Sequence, residues 1–101
     1  MKLINIKHRS DEVSFRQAVL QGLGRDQGLY FPEKFETLEN VNVLLQESFV
    51  PRSVAILRHL LGDEVAESTL REMVESAFDF PVETPEITSG CLLYTSDAAD
   101  D

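Results

Sequence analysis

The sequence predicts a small, mostly α-helical domain with short β elements, an α+β arrangement. Three observations carry this reading. Apolar residues recur at helical spacing in several stretches between residues 14 and 78. Alternation confined to the N-terminus and a short extended run before Pro32 supply the β part. Glycine or proline punctuates the junctions, and 101 residues suit one core rather than two.

Met1 to Lys7 alternates loosely and reads as a strand with Ile4 and Ile6 on one face. Such a strand needs a partner, which Tyr30 or the segment after Pro85 could supply. Ser14 is the N-cap of a short helix carrying Phe15, Ala18 and Val19, ended by Gly22 or Gly24. Gly28-Leu29-Tyr30-Phe31-Pro32 is extended, stopped by a proline that cannot donate to a ladder. From Thr37 the period turns helical, with Leu38, Val41, Leu44 and Leu45 on one face. Ser48 caps a further helix with Pro51 in its first turn. Its stripe is Val54, Leu57 and Leu61, joined by Ile56 and Leu60, and Gly62 ends it. A last helix runs from Ala66 to Phe78 with Leu70, Met73, Val74, Ala77 and Phe78 inward, and Pro81 and Pro85 mark the exit.

Composition bounds the function classes. A hydrophobic share of 43% and a charged share of 27% exclude wholesale disorder and collagen-like repetition. No apolar run approaches a membrane span, and the start MKLINIKHRSDEV lacks the apolar stretch of a secretory signal, which points to the cytoplasm. The single cysteine, Cys91, excludes an intrachain disulfide and a four-cysteine zinc site. A net charge of −9 argues against a nucleic-acid partner held by phosphate attraction. The charge is uneven: residues 1–34 carry +2, residues 35–90 carry −8 and residues 91–101 carry −3.

No catalytic, cofactor-binding or metal site emerges from motif chemistry. His8 reads as a solvated turn residue and His59 as a polar-face helix residue, and neither has metal-ligand spacing or a paired nucleophile. Gly22, Gly24 and Gly28 follow a helix, whereas a dinucleotide fingerprint follows a strand and opens a helix, so they read as helix-stop and turn residues. Glu64, Glu67, Glu72, Glu75 and Asp79 read as a solvated helix face rather than a calcium loop. Tyr30-Phe31 beside Pro32 fits either core packing or an exposed docking edge.

An ordered set of short motifs goes further. Val13-Ser14-Phe15, Ala18-Val19, Gln21-Gly22-Leu23 and Gly28-Leu29-Tyr30-Phe31-Pro32 resemble the N-terminal domain of threonine synthases. The resemblance continues through Phe49-Val50, Arg52-Ser53, Ile56-Leu57 and Gly62-Asp63-Glu64. It closes with Ala77-Phe78, Phe80-Pro81 and Gly90-Cys91. What it implies is the small N-terminal domain, residues 1–90, of a fold-type II pyridoxal-phosphate enzyme. That enzyme is a lyase converting O-phospho-L-homoserine and water into L-threonine and phosphate. The cofactor, bound to a lysine, acts there as an electron sink, and the N-terminal domain packs against the catalytic one.

The family pattern then breaks off. After Gly-Cys-Leu the family continues to His-Gly-Pro-Thr and Phe-Lys-Asp, the latter carrying the cofactor lysine. This chain reads Leu93-Tyr94-Thr95-Ser96-Asp97-Ala98-Ala99-Asp100-Asp101, and its lysines, Lys2, Lys7 and Lys34, all precede that point. The expected fragment is therefore inactive alone and binds no cofactor, with the rest of its own chain as partner. The run CLLYTSDAAD, residues 91–100, matches the translation of the transposase sequencing-library adapter in the frame TGT CTC TTA TAC ACA TCT GAC GCT GCC GAC, so residues 91–101 are expected to be an adapter-derived tail rather than a native one. The alternative is a free-standing acidic helical interaction module without enzymatic activity.

Overall fold

A computed structural model of the chain describes residues 1–93, 95 and 96. Its N-terminal third is a three-stranded antiparallel sheet. The central strand β1 (Lys2–Asn5) lies between β2 (Glu12–Ser14) and β3 (Tyr30–Pro32). Leu3 stands opposite Val13 on one side and Pro32 on the other. The partner expected at Tyr30 is there. Among the described residues the segment after Pro85 does not pair with β1, and the alternation carries no sign of β2.

The alternation leaves open which face of β1 turns inward, and the structure buries the Leu3–Asn5 face rather than the one that carries Ile4. Leu3 and Asn5 are buried, at 6% and 0% exposure, while Ile4 is half-buried and Ile6 is 63% exposed. A period of two sets which residues share a face, not which face turns inward. Here an asparagine takes the inside because its amide finds partners there.

Ser14 ends β2 and caps α1 (Phe15–Gln21) with a reciprocal capping box: its hydroxyl accepts from the Gln17 amide, and the Gln17 side chain accepts from the Ser14 amide. Gly22, at φ +81, stops the helix. A 3₁₀ turn (Arg25–Gln27) then leads into β3.

The helix expected from Thr37 is shorter. Asn40, at φ +56, opens α2 (Val41–Gln46), leaving Leu38 ahead of it, with Val41 and Leu45 exposed and Leu44 half-buried. The Arg52 guanidinium closes its C-terminus by donating to the carbonyls of Leu44 (3.0 Å), Leu45 (3.4 Å) and Glu47.

Helices α3 (Phe49–Leu61) and α4 (Glu67–Ala77) make the core, in which Val54, Leu61, Leu70 and Val74 are buried together. Met1, Phe15, Val50, Leu57 and Val65 pack around them. Ser48 occupies the N-cap position of α3 without a side-chain bond, and Gly62 ends it at φ +66. The inward stripe of α4 is narrower than its periodicity suggests. Met73 and Phe78 are 57% and 44% exposed and Ala77 is exposed too, because α3 is the one helix packed against α4 and covers a single ridge of it. Phe78 stacks edge-on with Phe49 at 5.4 Å and lies 6.3 Å from Phe80.

Beyond Pro81 the chain pairs with itself. β5 (Glu86–Thr88) pairs with β6 (Cys91–Leu92) across a turn holding Gly90 at φ +77, and β4 (Val82–Glu83) pairs with β7 (Thr95–Ser96). Of the segment read as adapter-derived, residues 94 and 97–101 lie outside the described residues. No helix among the described residues is long and apolar enough to cross a membrane.

Candidate functional site

The densest polar arrangement in the fold surrounds Asn5. Its Nδ2 donates to Asp11 Oδ2 and to the Arg25 carbonyl, both at 3.0 Å, and its Oδ1 accepts from the Lys7 amide at 2.9 Å. Asp11 also accepts from the Arg25 amide at 3.1 Å and from the Tyr30 hydroxyl at 3.2 Å. Hydrogen bonds from Asn5, then from the Arg25 amide, hold the Asp11 carboxyl below its ordinary pKa. Burial and the neighbouring Asp11 charge push the Tyr30 hydroxyl above its own.

This node fixes the loop between α1 and β3. A side chain at Gly24 would meet Asn5 Nδ2 at 2.5 Å, and one at Gly28 would meet Asn5 Oδ1 at 1.8 Å. The loop closes on itself, Gly24 N–H donating to the Gly28 carbonyl at 2.8 Å. Asp26 and Gln27 stand in the left-handed region, at φ +57 and +62. Asp26 is tied to the end of β1 by Lys7 Nζ on its carbonyl (2.9 Å) and His8 Nε2 on its carboxylate (2.5 Å). His8, read as a solvated turn residue, thus has a loop partner; His59 is half-buried with Nε2 2.9 Å from the Glu36 carbonyl.

A second tie joins the sheet to the helices. Glu64 accepts from the Met1 ammonium at 2.7 Å and, less closely, from the Phe15 and Arg16 amides at 3.3 and 3.4 Å. These donors, the ammonium first, lower its pKa. Glu64 was grouped with a solvated helix face, yet it precedes α4 and clamps the first turn of α1 instead. Its neighbour in that group, Glu67, lies 3.9 Å from Arg58. Among the described residues no group of three or more His, Cys, Asp or Glu could hold a metal ion.

The surface above the node is apolar. Helix α1 buries none of its residues, and Val19 and Leu20 are 63% and 75% exposed. A furrow of about 450 Å³ between α1 and α3 is lined by Phe15, Ala18, Gly22, Leu29 and Leu57. A furrow of about 270 Å³ on the other side of α1 is lined by Phe15, Val19, Leu20, Glu64 and Val65. Of the ambiguous Tyr30-Phe31 pair, the structure splits the difference: Tyr30 is half-buried on the node and Phe31 is 45% exposed.

A pinned loop and an exposed apolar helix face stand on a small α+β body. Its residues 3–78 match the family described as threonine synthase N terminus, and the chain belongs to that family. It is 53% identical over 81 residues to the threonine synthase of Haemophilus influenzae, an alignment covering 80% of this chain and 19% of that protein. With the Escherichia coli threonine synthase the identity is 44% over 96 residues, covering 91% and 22%. The fold is similar to the crystal structure of threonine synthase from Escherichia coli, with a TM-score of 0.80 and 43% identity over 88% of this chain and 21% of that one. The chain therefore spans about a fifth of the length of the curated relatives it matches.

Proposed function

We propose that this chain serves as the N-terminal domain of a threonine synthase, the lyase that converts O-phospho-L-homoserine and water into L-threonine and phosphate. Its part in that enzyme is structural: it packs against the catalytic portion and performs no chemistry alone. The observation that carries this reading is the match over residues 3–78 to the N terminus of proteins about five times as long.

The pyridoxal phosphate of the family does not fit the residues present here. A lysine that holds the cofactor covalently must give up its proton. Lys2 does the reverse: a hydrogen bond and charge from Glu12, with Glu33 adding, hold its ammonium above the ordinary value. Lys7 is spent on the Asp26 carbonyl. A phosphate cradle needs open backbone amides at glycines, whereas Gly24 and Gly28 are packed against the Asn5 amide. Lys34 is the third lysine, and the trapping experiment below covers it with the other two; on the proposed reading, cofactor and substrate are held elsewhere in the longer enzyme.

The test is to incubate the chain with pyridoxal phosphate and O-phospho-L-homoserine, reduce with borohydride and weigh the product. No stoichiometric adduct and no phosphate release are expected; an adduct on one lysine accompanied by turnover contradicts the reading. We further propose that the native domain covers residues 1–90 and that residues 91–101 are translated adapter. Sequencing the genomic locus decides this: a native frame encoding Leu93 to Asp101 in place overturns it.

A further inference from the structure

We propose that α1 and the loop after it form the seat for the remainder of the threonine synthase chain, which grips α1 as a ridge through the furrows on either side. This rests on the functional reading above and adds which surface is used. Val19 and Leu20 on the helix, with Leu23 and Leu29 on the loop, are the anchors. They are 63%, 75%, 46% and 55% exposed.

Two features select this face over the other exposed apolar residues. The first is geometric: Phe15 lines both furrows, so α1 stands between two depressions, the larger one apolar and the smaller one bearing Arg16 and Glu64 beside Val19, Leu20 and Val65. A ridge flanked by grooves is the shape that packing against another helix or strand fills. The second is the cost of the loop. Two consecutive non-glycine residues are held at positive φ, around the buried and fully hydrogen-bonded Asn5. What that expenditure displays is Leu23 and Leu29, and apolar side chains pointed at water return nothing.

The occupant is argued from length. About four-fifths of the relatives' length has no counterpart in this chain, and on the functional reading above that portion is what this face meets.

The test is a full-length chimera in which residues 1–90 replace the matching first fifth of the Escherichia coli enzyme, probed by hydroxyl-radical footprinting. Labelling of Val19, Leu20, Leu23 and Leu29 is compared with the same peptides in the urea-unfolded chimera. Most of the labelling is expected to be lost in the folded enzyme. Labelling at the unfolded rate in a chimera that turns over substrate overturns the proposal while leaving the functional reading intact. Protection that appears only as concentration rises overturns it in favour of a second copy. A folded but inactive chimera fails the functional reading itself, and the docking proposal with it.

Discussion

A Cβ at Gly28 would lie 1.8 Å from Oδ1 of Asn5. Gly28 sits at φ −70, ψ 140, a backbone conformation open to any residue. Glycine is required there by the asparagine amide, which occupies the space a side chain would need. The two residues are one structural unit. Gly28→Ala is expected to cost about 1–3 kcal/mol or more, as overpacking does. Asn5→Ala is expected to cost roughly 2–4 kcal/mol, because it strips the Lys7 amide and the Arg25 carbonyl of a buried partner. Urea midpoints of the single and double variants should be non-additive, with Gly28→Ala costing clearly less when Asn5 is already alanine. Strict additivity would mean the two do not meet.

The core prediction separates two residues of α4 that share a periodic stripe. Leu70 is 3% exposed and Met73 is 57% exposed. Leu70→Ala should therefore cost about 2–5 kcal/mol, and Met73→Ala less than about 0.5 kcal/mol. Thermal or urea unfolding of both variants checks this; equal losses would put Met73 inside.

Acid should destabilise the fold earlier than its sequence alone would. Asp11 and Glu64 both have folded pKa values lowered by hydrogen bonds from their partners. A depressed carboxylate contributes stability that is fully present above the unfolded pKa, roughly 4, and is lost as pH falls through the folded one. Unfolding midpoints should accordingly hold from pH ~7 to ~5 and fall below that. Asp11→Asn and Glu64→Gln should each flatten the acid limb; an unchanged limb in both would refute the assignment.

Glu64 offers a salt-dependent check. Its side chain is 25% exposed beside the Met1 ammonium at 2.7 Å. Glu64→Gln should cost on the order of 1 kcal/mol at low ionic strength and less at high salt. A loss independent of salt would assign the effect to the Phe15 and Arg16 amides rather than to the ion pair.

The helices were legible because their signals are local. Ser14, Gly22 and Gly62 act at the positions where their chemistry suggests a cap or a stop, and the Val54–Leu61 stripe is the one buried against α4. What escaped the sequence was long-range. Nothing in the alternation of residues 1–7 says that Asn5 faces inward, since its partners Asp11 and Arg25 arrive from elsewhere. The clue was indirect: Gly24 and Gly28, four residues apart, were turn glycines whose reason lay in another strand. Glu64 was misplaced for the same cause, its donors being 48 to 63 residues away in sequence. The exposed stripe of α4 shows the converse, a periodicity wider than its single helical neighbour covers. The apolar ridge on α1 could be read in sequence only as an amphipathic helix, because exposure is a property of what surrounds it.

On the function proposed above, this domain works only as part of a longer threonine synthase. Phosphate release from O-phospho-L-homoserine by the chimera carrying residues 1–90, set beside the chain alone, tests that most directly. Turnover is expected from the chimera and none from the chain. Turnover by the chain alone, or a folded chimera that releases no phosphate, would contradict it.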